Sequence, residues 1–161
     1  MRKIQFADGR EVETKCLSCS VANGLVEATG GVIKETPFFH AHQDIAYPIP
    51  GLVILASKRH FYSMDELTDE EAEDYLQLIR KIRSAQRKEL GIEHVYYFYN
   101  EDTTHHFHLW MVPRYEWMYE LGRSVESLRP VLMYARQHHA DPENIEKVKA
   151  AVDVLRESLD R

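Results

Sequence analysis

The chain has 161 residues, 44% of them hydrophobic and 29% charged, with a formal net charge of −6. That length suits one domain with a substantial core. The acidic balance argues against a broad basic face for nucleic acid, so any phosphate site must be local.

No apolar run reaches the roughly 18 residues a membrane helix needs. No apolar segment follows the basic start Met1-Arg2-Lys3, so neither a signal peptide nor a membrane partner is expected, and the cytoplasm follows by default.

Residues 4–13 read as two short strands around Asp8-Gly9, a hairpin turn pair. Cys16-Leu17-Ser18-Cys19 follows in a turn and holds the only two cysteines. Two thiolates at this spacing reach one tetrahedral zinc ion, or form a redox dithiol. Residues 20–29 suggest a short helix ended near Gly30-Gly31. Residues 32–35 and 38–45 read as strands, and Tyr47 to Gly51 as a turn. Leu52-Val53-Ile54-Leu55-Ala56 is an unbroken apolar strand suited to the middle of a sheet. Ser57 to His60 leaves its end, a common place for functional side chains.

The spacing predicts a helix over 69–90. Thr68 caps it, Glu71 completes a capping box, and Gly91 suits its end. Its apolar stripe is Ala72, Tyr75, Leu76, Ile79 and Ile82. Residues 94–99 and 105–112 read as an antiparallel strand pair around a turn at 100–104. Two helices follow. One spans 124–139 with Val125, Leu128, Val131, Leu132 and Ala135 inward. The other opens at Asp141-Pro142, Asp as cap and Pro at the first position.

The second strand of that pair carries the chemistry. With a period of two, His106, His108 and Trp110 share one face, while Phe107, Leu109 and Met111 face a core. His105 then points away from His108. A neutral imidazole is a competent nucleophile near pH 7, provided one nitrogen is free and the other N–H is held by an acceptor. The bland alternative is a half-buried strand that happens to carry histidines. His40, His42, His94, His138 and His139 belong to no motif and read as surface or satisfied residues.

His106-Phe107-His108-Leu109-Trp110-Met111-Val112-Pro113-Arg114 resembles the histidine-triad signature, in which histidines alternate with apolar residues before Pro-Arg. Trp110 stands in the third histidine's place, as glutamine does in the related galactose-1-phosphate uridylyltransferases. The Asp44-Ile45 pair, the Pro-rich turn, the apolar strand and Ser57-Lys58-Arg59-His60 extend the likeness over roughly residues 14 to 114.

The resemblance implies an α+β fold with an antiparallel sheet of about five strands, a long helix across it and a C-terminal helical extension. The expected layout is one domain over 1–161, with its core at about 14–114 and the extension at 120–161. The implied activity is hydrolysis or nucleotidyl transfer at the α-phosphate of a nucleotide conjugate, with His108 as the covalent nucleophile. Asp44, Ile45, Asn100, Thr104 and Trp110 would contact the substrate. Cys16, Cys19, His60 and His106 would hold a structural Zn²⁺. The family usually forms homodimers. A nucleotide-binding protein without turnover is the alternative, since Trp110 replaces the third histidine and the loop before the strand is short; Leu52, where many members carry histidine, implies an altered substrate shape.

Overall fold

The structure is a computed structural model that describes residues 1–103 and 105–161. Two sheets form. Strands β1 (Arg2–Gln5) and β2 (Glu11–Thr14) pair as the antiparallel hairpin expected around Asp8-Gly9. The main sheet has five antiparallel strands in the order β3-β4-β5-β7-β6, with β3 (Val32–Glu35), β4 (Phe39–Gln43), β5 (Val53–Ser57), β6 (Val95–Phe98) and β7 (His108–Pro113). The apolar segment around Val53–Ala56 is its central strand, as its continuous hydrophobicity demands.

Side-chain alternation sorts the three inner strands. Phe39, Ala41, Val53, Leu55, Leu109 and Met111 lie in one apolar cluster. Helix α2 (Asp69–Leu90) adds Leu78, Ile82 and Ala85 to it, and α4 (Pro142–Asp160) adds Val152 and Leu155. Burying a side chain of this size stabilises the fold by about 1.5–3 kcal/mol. The caps of α2 form as read. The Thr68 side chain accepts from Glu71 N, Glu71 answers to Thr68 N, and Gly91 is left-handed at φ 64°. Asp141 likewise caps α4 at Asn144 N, 3.0 Å away. A second cluster on the other side of the sheet joins Leu52, Val112 and Met118 to Val131, Leu132 and Ala135 of α3 (Leu128–His138).

Four local readings change. The first helix, α1, spans Leu17–Ala22, so Cys16 is its N-cap and Cys19 lies within it, not in a turn. Gly24, at φ 68°, follows its end at once. On α2, Leu76 is exposed and Leu78 takes its place, because the buried face runs through positions 71, 78, 82, 85 and 86. Helix α3 starts at Leu128 after a 3₁₀ turn at Val125–Ser127, which leaves Val125 exposed.

The fourth change concerns the key strand. Ladder pairing begins only at His108. Before it, the Phe107 N–H donates to Phe61 O at 2.7 Å, and Phe107 O accepts from Ser57 N at 3.2 Å. These bonds tie residues 105–107 to the segment leaving β5, so alternation does not extend back to His105. No described helix is long and apolar enough to cross a membrane.

Candidate functional site

The register of β4, β5 and β7 sets out the site. His40 lies opposite Ala56, and Ala56 opposite His108. One step along, His42 faces Ile54, and Ile54 faces Trp110. These residues occupy the sheet face away from α2 and α4. Over that face lies a cavity of about 750 Å³, whose walls include His42, Asp44, Ile45, Ile54, His108 and Trp110. The β1–β2 hairpin brings Arg2, Lys3 and Lys15 to it, and α3 brings Arg136. A protein of net charge −6 thus gathers four cations around one cavity.

His108 is oriented by the main chain. Its Nδ1 lies 2.8 Å from His106 O, an atom that can only accept. Nδ1 therefore carries the proton and Nε2 the lone pair. Burial holds the ring below the ordinary histidine pKa, which favours the neutral form. His42 repeats the device: its Nδ1 donates to Gln43 O at 2.8 Å, and burial pushes its pKa down to about 4.

Asp44 closes the end of β4. Its Oδ1 accepts from Ala46 N and Tyr47 N, each at 2.8 Å. Burial raises its carboxyl to about 6, against the lowering effect of those two bonds. Its Oδ2 has no protein partner among the described residues. Gly51, at φ 79°, allows the turn that returns the chain to β5; a Cβ there would meet Leu90 at 2.8 Å. Ile45, Ile54 and Trp110 supply apolar wall.

Beside the cavity, four side chains converge. The donor atoms of Cys16, Cys19, His60 and His106 all lie within 4.8 Å of one another. His106 Nδ1 is 3.4 Å from Cys16 Sγ, 3.5 Å from Cys19 Sγ and 3.0 Å from His60 Nδ1. His60 Nδ1 is 3.8 Å and 3.2 Å from the same two sulfurs. Zinc bonds of about 2.3 Å to sulfur and about 2.0 Å to nitrogen imply tetrahedral edges of ~3.5 Å between sulfur and nitrogen. The cluster fits that ion. His106 Nε2 donates to Ser57 O at 2.7 Å, so Nδ1 presents its lone pair to the sulfurs, as a metal ligand requires.

The structure thus gathers the four expected metal ligands, and it puts His108, Asp44, Ile45 and Trp110 on one cavity. Asn100 is not on that cavity wall; its side-chain carbonyl accepts from the Thr103 hydroxyl. Thr104 lies outside the described residues. Trp110 turns its Nε1 into the interior, where it has no partner among the described residues.

Two expectations about histidine are corrected. His40 is neither superficial nor satisfied, being buried with no partner for either nitrogen among the described residues, whereas His42 is buried and satisfied by Gln43 O as one of the two expected options. His105 lines the cavity instead of pointing away, because the ladder starts three residues later. His42 could have been found from alternation along β4, which puts it in phase with Asp44. Nothing in the sequence marked Arg136, since only the packing of α3 brings it there.

Comparison with solved structures decides the architecture. A zinc-bound histidine triad family protein from Mycobacterium smegmatis superposes with a TM-score of 0.65 at 22% identity, over 91% of this chain and 94% of that one. The chain has the histidine-triad fold. A hypothetical histidine triad nucleotide-binding protein from Sulfolobus tokodaii matches at 0.65 and 18% identity, over 90% and 92% of the two chains. A member of the HIT family from Bacillus subtilis matches at 0.60 and 21%, over 87% and 96%. No protein-family model matches the chain, and no curated protein does. The histidine-triad fold accounts for the five-stranded antiparallel sheet.

Proposed function

We propose that this chain is a histidine-triad nucleotide hydrolase or nucleotidyl transferase acting at the α-phosphate of a nucleotide conjugate, of the dinucleoside polyphosphate or nucleoside phosphoramidate kind. The observation that carries this reading is the tautomer of His108, fixed by its 2.8 Å bond to His106 O with Nε2 left as a nucleophile at the cavity.

In the reaction, the Nε2 lone pair attacks the α-phosphorus. The bond to the leaving group breaks, and that group departs with its electron pair. Water or another acceptor then attacks phosphorus, the P–N bond breaks, and His108 is restored. Asp44 Oδ2 takes the ribose diol, as an acceptor-only carboxylate suits two vicinal hydroxyls. Ile45, Ile54 and Trp110 offer apolar surface to the base. Arg136 and Lys15 offset the phosphate charge. Cys16, Cys19, His60 and His106 hold Zn²⁺, which adds folding energy and fixes the segment whose carbonyl orients His108. The likeness to a zinc-bound protein and to one named as nucleotide-binding supports this reading.

A second reading is a nucleotide-binding protein without turnover. Trp110 favours it, because its indole N–H is buried without a partner among the described residues and carries no charge for phosphate. Nucleotide release from adenosine phosphoramidate, dinucleoside polyphosphates and nucleotide sugars separates the two. Release by wild type and not by His108→Ala supports the enzyme. Binding of nucleotide without release by either would overturn it.

A further inference from the structure

A second cavity, of about 430 Å³, lies between α2, β6 and the chain after β7. Arg83, Arg87 and Arg123 line it, with His94, Tyr96 and Tyr119, and Glu93 is its single carboxylate. Arg114 stands behind the wall. Its guanidinium lies 4.4 Å from the Tyr96 ring and 5.1 Å from the Tyr119 ring, and Arg123 covers Tyr119 at 4.2 Å.

None of these four arginines forms an ion pair among the described residues. Arg83 gives Nη2 to the Ile92 and Glu93 carbonyls, while its Nη1 is buried without a partner among the described residues. Arg114 is buried and bonds Gly122 O and the Ser127 hydroxyl, while its Nε has no partner among the described residues. Burial and the charge of Arg87 both press on Arg83. Three guanidinium groups gathered around a single carboxylate repel one another, and a half-buried cation such as Arg83 without an ion pair costs stability. An acidic protein has carboxylates to spare for pairing, yet it sends one to this wall.

We infer that Arg83, Arg87 and Arg123 form an anion site for the phosphate group of a small phosphorylated molecule, separate from the His108 cavity. The residue type supports it, since the three cations are all arginine, whose planar fork binds two phosphate oxygens at once. Arg87 and Arg123 are both exposed, the first on α2 and the second in the chain after β7. Arg83 supplies the fixed charge beneath. His108 begins β7 and Arg114 follows its end, so these two residues lie roughly 20 Å apart along the strand at about 3.3 Å per residue, and the two cavities share no wall residue.

The test is calorimetric titration of the full zinc-loaded chain with inorganic phosphate, at ionic strength held constant with chloride. Wild type, Arg87→Gln/Arg123→Gln and the cavity variant Arg136→Gln are compared. Both substituted arginines of the double variant are exposed, and its thermal melt in chloride confirms that it folds. The site predicts a phosphate-binding event in wild type that is weakened at least about tenfold in the double variant and persists in Arg136→Gln, which loses only phosphate held at the His108 cavity. No binding by wild type overturns the inference. So does equal affinity in the double variant, or a loss confined to Arg136→Gln.

Discussion

His106 and His108 are joined through one peptide oxygen. The carbonyl of His106 accepts the Nδ1 hydrogen of His108 at 2.8 Å, while the His106 ring stands 3.4 Å and 3.5 Å from two cysteine sulfurs. The proposed metal site and the proposed nucleophile thus share a residue. Whatever fixes the His106 ring also fixes the acceptor that sets the tautomer of His108.

Metal removal follows from that link. The chain is expected to bind one zinc ion, measured by elemental analysis, and Cys16→Ser or His60→Ala should lower the bound amount. Chelation should also lower the melting temperature. At free zinc about 1,000 times Kd, the ion contributes ~4 kcal/mol. A chelated chain that melts with the untreated one would contradict the metal assignment.

Activity should fall on the acid side. In the proposed reaction, attack needs neutral His108, whose pKa burial holds low, and ribose binding needs ionised Asp44, whose pKa burial raises to about 6. Asp44 therefore loses its charge as pH falls from 7 through about 6. The prediction is a kcat/KM that declines below about pH 6, with the limb moved to lower pH in Asp44→Asn alongside weaker binding. A flat profile between pH 5 and 7 would refute the role given to Asp44.

Stability has its own pH signature at His42. Its folded pKa, about 4, lies below the unfolded value of 6.5, so folding favours the neutral ring. The contribution is complete above pH 6.5 and is lost as pH falls through 4. By linkage it is worth about 3 kcal/mol. Asp44 acts in the opposite sense, because its raised pKa makes its contribution fade as pH rises from about 4 to about 6. Denaturant melts of wild type and His42→Leu should diverge least near pH 4. If the gap between them is the same at pH 4 and pH 7, His42 does not titrate as described.

The segment that carries His60 is held by an ion pair. Arg59 gives Nε and Nη2 to the Glu71 carboxylate at 2.9 Å and 2.8 Å, and that carboxylate also accepts from Thr68 N. Glu71 is buried and Arg59 is half exposed. Arg59→Ala should cost roughly 1–2 kcal/mol by leaving a buried carboxylate with one partner fewer. Because His60 is the next residue, zinc affinity should fall in the same variant. Unchanged stability would show that water replaces Arg59 at no cost.

Much of this was legible in the chain itself. The period of α2, its capping box, the hairpin at Asp8-Gly9 and the apolar run of β5 each follow from local chemistry, and all form. The four candidate metal ligands were legible because each has a characteristic place in the histidine-triad pattern, and the structure brings their donor atoms together. What escaped notice depended on long-range packing. Arg136 reaches the cavity only because α3 folds back on the sheet. His105 joins it only because Phe107 bonds to Phe61 and delays the ladder. His42 was hidden by its type, since an isolated histidine on a strand looks like a surface residue until both neighbouring strands bury it.

The most direct measurement is rapid-quench mass spectrometry of the intact chain during turnover of a nucleotide conjugate. The account predicts a transient mass increase of one nucleotidyl group, mapped to the peptide that carries His108, and absent in His108→Ala. Turnover with no adduct at any quench time, or with the group on another residue, would contradict it.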